Sequence, residues 1–294
     1  MSELVFEDRP QLERPVMIAA FRGWNDGGQG ASLAAAYLAR AWAAQPFAHI
    51  DAEGFFDFQA TRPMVSLVDG VTRQIEWPET TFLHAPLPGA GRDAILLLGV
   101  EPNLRWRTFS DLITGLAKEF QTELVLTLGS LLADVPHTRP APVTGSATDP
   151  ELIEQLGLQA SRYEGPTGIT GVLHDACARD GLPSASLWAA VPHYVSLTPS
   201  PRAAKALVDR LADLLGADVD TGELDEASES YVQQVSEAVA SDAETASYVE
   251  ELENRVDELS DEGDLPSGDS IAAELTRFLR ERENGTGGPT APDS

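Results

Sequence analysis

The stretch VMIAAFRGWNDGGQGASLAAAYL, residues 16–38, decides the fold that this sequence predicts. It opens with a short apolar run, Val16–Phe21, of the kind that forms a buried strand. A glycine-rich turn follows at Gly23–Gly30, and the spacing of apolar residues over 29–44 predicts a helix. In α/β proteins such a strand–turn–helix unit often holds phosphate or a nucleotide. The turn is therefore either a ligand site or only a change of chain direction.

The rest of the chain repeats the alternation of buried strands with helices. Strands are predicted at 81–87, 94–100, 123–129 and 185–191, and helices at 107–120, 149–156, 167–180 and 201–215. Two or three short strands are predicted within 47–61 and 64–77, with a hairpin turn at Asp69-Gly70, and a long polar loop is predicted at 134–148. This pattern indicates a three-layer α/β/α core over residues 1–216, with a mostly parallel mixed sheet.

The pattern changes after residue 216. Valines recur at steps of three and four from Val232 to Val256 among acidic and polar residues, which predicts an amphipathic helical extension over 217–264. A short terminal helix is predicted within 265–283, and residues 284–294 have the composition of a disordered tail.

Charge and composition exclude several classes of partner. The 294 residues carry 47 acidic and 20 basic side chains, a net charge of −27, and 217–264 alone holds 17 acids and one base. Nucleic-acid binding needs a basic surface, so no nucleic-acid partner is expected. No apolar run reaches the ~20 residues of a membrane span and no signal-peptide pattern is seen, so we expect a cytoplasmic protein without a membrane partner. The one cysteine, Cys177, excludes an internal disulfide.

The glycine-rich turn matches neither common nucleotide-binding motif. Its glycines do not fit G-x-G-x-x-G, and the chain has no Gly-Lys pair for a P-loop. Asn25 and Asp26 could cap the following helix with side-chain oxygens. The alternative is a turn that lines a pocket, with Gly23, Trp24, Asn25 and Asp26 at its rim, although tight phosphate binding is not expected there.

Other polar residues also follow predicted strands and are candidates to line a pocket: Glu53, Glu101, Asn103, His137, Arg139 and His193. Glu101 lies near two arginines and could belong to a salt-bridge cluster. His137 and Arg139 could bind an anion, or their proline-rich loop could form a rigid surface or a subunit contact. His193 could line a pocket or pack in the core.

No catalytic or metal-binding set stands out. The five histidines show no metal-ligand spacing, and His174 with Cys177 in a predicted helix is more typical of structure than of chemistry. We therefore expect no cofactor, no metal and no catalytic residues.

Six ordered segments together resemble a known family: GWNDGGQGAS (23–32), GFFDFQATRP (54–63), GVEPNLRWRTF (99–109), LLADVPHTRPAPVTG (131–145), YEGPTGITGVLHDAC (163–177) and LWAAVPHYVS (187–196). Over about residues 5–260 the chain resembles the actinobacterial branch of the proteasome assembly chaperone family, second type. The resemblance implies a core similar to purine nucleoside phosphorylases, a helical C-terminal extension and homo-oligomers, often trimers. It does not supply phosphorylase residues.

Two functions follow as hypotheses. The first is a non-enzymatic, assembly-chaperone-like protein that binds itself and proteasome subunits. Eukaryotic relatives are known for a hydrophobic-Tyr-X tail that docks on the proteasome α-ring, and the sequence here ends differently, at Thr290–Ser294. The alternative is an enzyme or sensor for a nucleoside-like molecule. Aromatic residues near loops, Trp24, Phe55 and Phe56, are expected to be exposed and to lie in the oligomer contact.

Overall fold

The computed structural model describes residues 3–147, 149–160, 163–195 and 199–261. The strands described are β1 (Leu4–Phe6), β2 (Val16–Arg22), β3 (Gln45–Ile50), β4 (Met64–Val68), β5 (Thr72–Glu76), β6 (Thr80–Leu87), β7 (Arg92–Val100), β8 (Leu124–Ala133), β9 (Val143–Ala147), β10 (Gln159–Ala160) and β11 (Ser184–Pro192). The helices described are α1 (Gly30–Ala41), α2 (Trp106–Glu119), α3 (Pro150–Leu156), α4 (Ile169–Asp180), α5 (Pro201–Leu215), α6 (Gly222–Ala240) and α7 (Ala243–Asp261).

Nine of the described strands form one mixed sheet in the order β1-β3-β6-β7-β2-β8-β11-β9-β10, and β4 and β5 form a separate hairpin. The central strands β7, β2, β8 and β11 run parallel, whereas β6 is antiparallel to β3 and β7, and β9 is antiparallel to β11 but parallel to β10. The predicted α/β fold with a mixed sheet is confirmed.

Strand β2 shows why the sheet is covered on both faces. Its residues alternate between two cores: Val16, Ile18 and Ala20 contact the layer of α1 and α5, whereas Met17, Ala19 and Phe21 contact the layer of α2 and α4. All six are buried, as an apolar strand between two helical layers requires. The three-layer core is confirmed.

The two or three short strands predicted within 47–61 and 64–77 are found as β3, β4 and β5, with a single helical turn at Ala52–Gly54 between β3 and β4. The departures from prediction lie at the sheet edges and in loops. The predicted loop 134–148 contains β9, which pairs with β11. Strands β1 and β10 were not predicted, because two or three residues are too short to show alternation. Phe55 and Phe56, expected to be exposed, are buried.

The helical extension packs on the core. Helix α6 buries Leu224, Tyr231 and Val235, and α7 buries Val249 and Leu252. These two helices confirm the predicted C-terminal helical extension. The predicted terminal helix within 265–283 and the tail 284–294 lie outside the described residues. Among the described helices, none has the length and apolar character required to cross a bilayer.

Candidate functional site

The candidate residues gather at one edge of the sheet because the central parallel strands end there together. The turn Gly23–Asp26 follows β2, Glu101 follows β7, the segment 134–139 follows β8, and His193 follows β11. Open α/β sheets bind ligands at this edge, which makes it the place to look for a site.

Asp26 is committed to holding the start of α1. Its Oδ1 accepts hydrogen bonds from the backbone N–H groups of Ala31 at 2.9 Å and Ser32 at 3.1 Å. Its Oδ2 accepts from the Ser32 hydroxyl at 2.6 Å. The side chain is almost fully buried. The carboxylate thus occupies the helix donors that a bound anion would use.

The glycines of the turn are packed against protein. Gly28 has a φ of +58°, and a side chain there would meet Val191 of β11. A Cβ on Gly30 would lie 2.8 Å from Cβ of Ala203 in α5. The Gly28 carbonyl also accepts the backbone N–H of Ser200 at 2.7 Å. These contacts explain why glycine occupies both positions: neighbouring segments of the chain approach too closely to leave room for a side chain.

Glu101 caps a second helix. Its Oε1 accepts the N–H of Ile169, the first residue of α4, at 2.8 Å, and its Oε2 accepts the N–H of Trp24 at 3.1 Å. A carboxylate at a helix N-terminus is stabilised by the helix dipole. The expected salt-bridge cluster with nearby arginines is not the arrangement found, since Arg105 pairs with Glu3. Trp24 itself is 51% exposed.

Two asparagines serve different parts of this edge. Asn25 is buried beside Gly168, and its amide nitrogen has no hydrogen-bond partner in the described structure. The Oδ1 of Asn103 accepts the N–H of Asp57 and the hydroxyl of Thr61, both at 3.0 Å. Asn103 therefore fixes the loop after β3.

A cleft of about 960 Å³ lies beside the ends of β2, β3 and β7 and against the β4–β5 hairpin. Of the ten predicted candidates, only Gly23 and Glu53 line it. The cleft is also lined by Arg22, Arg62, Phe58 and Trp77, and of these sequence reasoning missed Arg62, Phe58 and Trp77. The rings of Phe58 and Trp77 lie 4.8 Å apart. No spacing rule connects these residues along the chain, so no sequence signal identifies them.

Three other candidates, His137, Arg139 and His193, lie outside this cleft, where the core meets the helical extension. We call this contact the core–extension junction. The two ring nitrogens of His137 lie 2.9 Å from the Tyr194 hydroxyl and 3.0 Å from the Ser236 hydroxyl of α6. Arg139 forms a bidentate pair with Asp257 of α7, at 2.8 and 2.6 Å.

The junction also contains aromatic contacts and a second acidic group. The His193 ring lies 5.6 Å from that of Tyr248 in α7, and its Nδ1 lies 3.0 Å from Asp134 Oδ1. The Tyr248 hydroxyl donates to the same Asp134 oxygen at 2.9 Å. The loop after β8 is thus a docking surface for the protein's own helices.

The electrostatics of the junction favour neutral rings beside a paired arginine. Burial lowers the pKa of His137 and raises the pKa of Tyr194 to about 12. The hydrogen bond from Arg139 lowers the pKa of the Asp257 carboxyl. Both partners of the His137 ring are hydroxyls, which can donate to or accept from a ring nitrogen, so these hydrogen bonds are compatible with a neutral ring.

Nucleophile and metal chemistry find little support in the described part of the chain. Burial raises the pKa of Cys177 to about 11, so its thiol stays protonated. The ring of the partly buried His174 lies between the hydroxyls of Thr127 and Ser184, both 2.9 Å away. The described residues contain no group of three or more histidines, cysteines or acids placed to hold a metal.

Comparison with known proteins agrees with the resemblance seen in the sequence. The PAC2 family model matches residues 20–239. A PAC2 family protein from Streptomyces avermitilis is 47% identical over 80% of this chain and 99% of its own, with a TM-score of 0.75. A proteasome-assembly chaperone homologue from Mycobacterium tuberculosis is also 47% identical, over 80% of this chain and 99% of its own, with a TM-score of 0.73.

A protein of unknown function from Mycobacterium tuberculosis is 27% identical over 93% of this chain and 96% of its own, with a TM-score of 0.80. The search of curated proteins finds no match.

Proposed function

The chain belongs to the PAC2 family, and from that premise we propose that it is a non-enzymatic, protein-binding member with an assembly-chaperone-like role. Its partners under this proposal are further copies of itself, as a trimer, and proteasome subunits. We also propose that it acts in the cytoplasm. Its one cysteine, Cys177, is buried and forms no internal disulfide, which suits a reducing compartment.

One observation carries the proposal: the polar residues at the strand ends do not converge on one pocket. Glu53 lines the cleft, whereas Glu101 caps α4. Arg139 is paired with Asp257 of the helical extension. An enzyme needs its acid, base and binding groups within hydrogen-bond reach of one substrate. Here most candidates are already used in holding the protein together.

The proteasome enters through a relative. The Mycobacterium tuberculosis protein with 47% identity is described as a proteasome-assembly chaperone homologue, and we carry that partner class to this chain as part of the proposal. The helical extension offers an acidic surface for the contact, with Glu229 of α6 and Glu250 of α7 both exposed. Complementary charge would speed association with a basic surface on the partner.

The direct test measures binding of purified proteasome α- and β-subunits by analytical ultracentrifugation. We expect the wild-type chain to form a complex with one of them. The Glu229→Lys/Glu250→Lys variant should bind about 10-fold more weakly if the extension makes the contact. The matched control is Glu154→Lys/Asp213→Lys, which changes the charge equally at two other exposed helical sites.

Each outcome separates two parts of the proposal. If the wild-type chain binds neither subunit, the proposed proteasome partner is wrong. If both variants bind like the wild type, the partner stands and the contact lies outside the extension.

A second candidate is favoured by the cleft beside β2 and β7. Arg22 and Arg62 could bind an anionic group there, and Phe58 and Trp77 could stack on a base-like ring. This would make the protein an enzyme or sensor for a nucleoside-like molecule, on the fold similar to purine nucleoside phosphorylases that the sequence led us to expect. The test is a titration with nucleosides followed by tryptophan fluorescence. Unchanged fluorescence would argue against this second candidate function.

A further inference from the structure

The two helices of the extension are held to the core by different kinds of contact. Among the described apolar side chains, α6 buries Leu224, Tyr231 and Val235 almost fully, whereas α7 buries Val249 and Leu252. Burial of apolar side chains supplies most of the free energy of docking. Helix α7 therefore depends more than α6 does on its polar contacts.

The polar contacts of α7 converge on the core segment 134–139. Arg139 forms the bidentate pair with Asp257, and its Nη1 lies 3.5 Å from Oε1 of Glu253. The Thr138 hydroxyl donates to the same Glu253 oxygen. The side chains of Arg139 and Asp257 are 31% and 55% exposed, and ion pairs in contact with water contribute little to stability. These contacts therefore position α7 without holding it tightly.

The core segment keeps its shape through contacts that do not involve α7. The backbone N–H of His137 donates to the Tyr194 hydroxyl at 2.8 Å, and the guanidinium of Arg202 donates to the Arg139 carbonyl. Pro140 follows directly and restricts the backbone. Arg139 is thus held in place by the core, whether or not an acid of α7 is paired with it.

The link between α6 and α7 allows the two helices to move separately. It consists of Ser241 and Asp242. The Ser241 hydroxyl donates to a carbonyl in the last turn of α6 at 2.6 Å. Asp242 accepts the N–H of Glu244 at 3.1 Å and the hydroxyl of Thr245 at 2.7 Å, at the start of α7. Since each helix has its own cap, the link can turn without the loss of either cap.

The charge of α7 indicates what kind of surface fits it away from the core. Its 19 residues contain seven acids and one base. Val249, Leu252, Glu253 and Asp257 lie on one face of the helix, because they are spaced by three and four residues. A helix with such a face fits an apolar groove with a basic rim.

We propose that α7 is a releasable strap, which turns away from the core at Ser241–Asp242 while α6 stays in place. A protein partner with an apolar groove and a basic rim then captures the inner face of α7, and its arginines replace Arg139 as the partners of Glu253 and Asp257. The closed strap hides this binding face. The capture step rests on the proposed protein-binding function, whereas the opening of α7 does not.

The opening is measured by hydrogen exchange of the full-length protein, followed by mass spectrometry. We expect the amides of α7 to exchange at least ~10-fold faster than those of α6, because α7 opens alone. If α6 and α7 exchange at the same rate, the two helices open as one unit and the strap proposal is wrong.

Two variants test whether Arg139 closes the strap. Arg139→Gln removes the core partner of Glu253 and Asp257 and should make α7 exchange about 3–5-fold faster. The matched control, Arg40→Gln, removes the same charge and breaks a core pair with Glu223 of α6. It should leave the exchange of α7 unchanged, and an equal effect of the two variants would contradict the assignment of Arg139.

The capture step is tested with a fluorescent octa-arginine peptide, whose guanidinium groups stand in for the basic rim. A ligand that binds only the open state gains apparent affinity when the closed state is weakened. We expect Arg139→Gln to bind the peptide about 3–5-fold more tightly than Arg40→Gln, although the two variants have the same net charge. Equal affinities would show that the peptide does not compete with Arg139 and would refute the capture step.

A second variant keeps the test decisive if Arg139→Gln does not fold. Arg139→Lys keeps the charge without the bidentate geometry and should shift both measurements in the same direction relative to the wild type. Neither measurement involves a proteasome subunit. A failed strap therefore leaves the proposed function standing, and failure to bind subunits leaves the strap standing.

Discussion

Replacing Asp26 with alanine tests whether the glycine-rich turn is held by structure. The change removes the acceptor of the Ala31 and Ser32 N–H groups and of the Ser32 hydroxyl at the start of α1. Loss of a helix cap costs about 0.5–2 kcal/mol, and leaving a buried donor unpaired costs about 1–3 kcal/mol. We therefore expect Asp26→Ala to lower the free energy of unfolding by about 2–4 kcal/mol.

The assay is chemical unfolding followed by circular dichroism, with a thermal melt in parallel. In a chain of this size, the loss corresponds to a fall in Tm of about 5–10 °C. Asp26→Asn, which keeps one acceptor oxygen, should lose less. Asp213→Ala, at an exposed position of α5, should change the stability by no more than about 0.5 kcal/mol. If Asp26→Ala matches Asp213→Ala, the carboxylate does not hold the helix, and a ligand-binding role for the turn becomes the better explanation.

Three further predictions concern pH, the extension and catalysis. Burial lowers the pKa of His174 from 6.5 to about 4, so the unfolded chain takes up this proton at a higher pH than the folded chain does. The contribution of His174 to the free energy of unfolding should therefore be complete above pH 6.5 and should fall by about 3 kcal/mol towards pH 4. Urea titrations of the wild type and of His174→Gln should differ in the slope of stability against pH, and equal slopes would contradict the assignment. Truncation after Gly216 should leave a core that melts cooperatively, although at a lower temperature than the full chain, because both helical layers that cover the sheet precede that residue. A molten or insoluble product would show that α6 and α7 complete the core. The protein should release no free base from inosine, adenosine or uridine in phosphate buffer; turnover above ~1 per second that is lost in Arg62→Ala would make it an enzyme.

Much of the fold is predictable because the buried strands carry their signal locally. Val16–Phe21 and Ala94–Val100 are apolar on both faces, and each is followed by a polar turn, so strand and layer follow from the sequence. The edge strands are not predictable in this way. In β9, Val143–Ala147, small and polar residues hide the alternation, and its place in the sheet depends on pairing with β11, about 40 residues later.

The candidate site is only partly predictable, for a physical reason. Strand ends identify where polar residues gather, and the capping role of Asp26 follows from its position before a helix. Partners far along the chain cannot be derived from spacing. Arg139 binds Asp257, 118 residues away, and His137 binds Ser236, so residues chosen as possible ligand contacts form part of the core–extension junction.

The most direct test of the central claim is capture of the full-length protein from a lysate of its native cells, with quantitative mass spectrometry of both co-purified proteins and retained small molecules. A protein-binding, assembly-chaperone-like function predicts proteasome subunits in near-stoichiometric amounts, with no small molecule above background. Recovery of a nucleoside-like metabolite at about one per chain, without proteasome subunits and reduced in Arg62→Ala, would contradict the account and assign the function to the cleft.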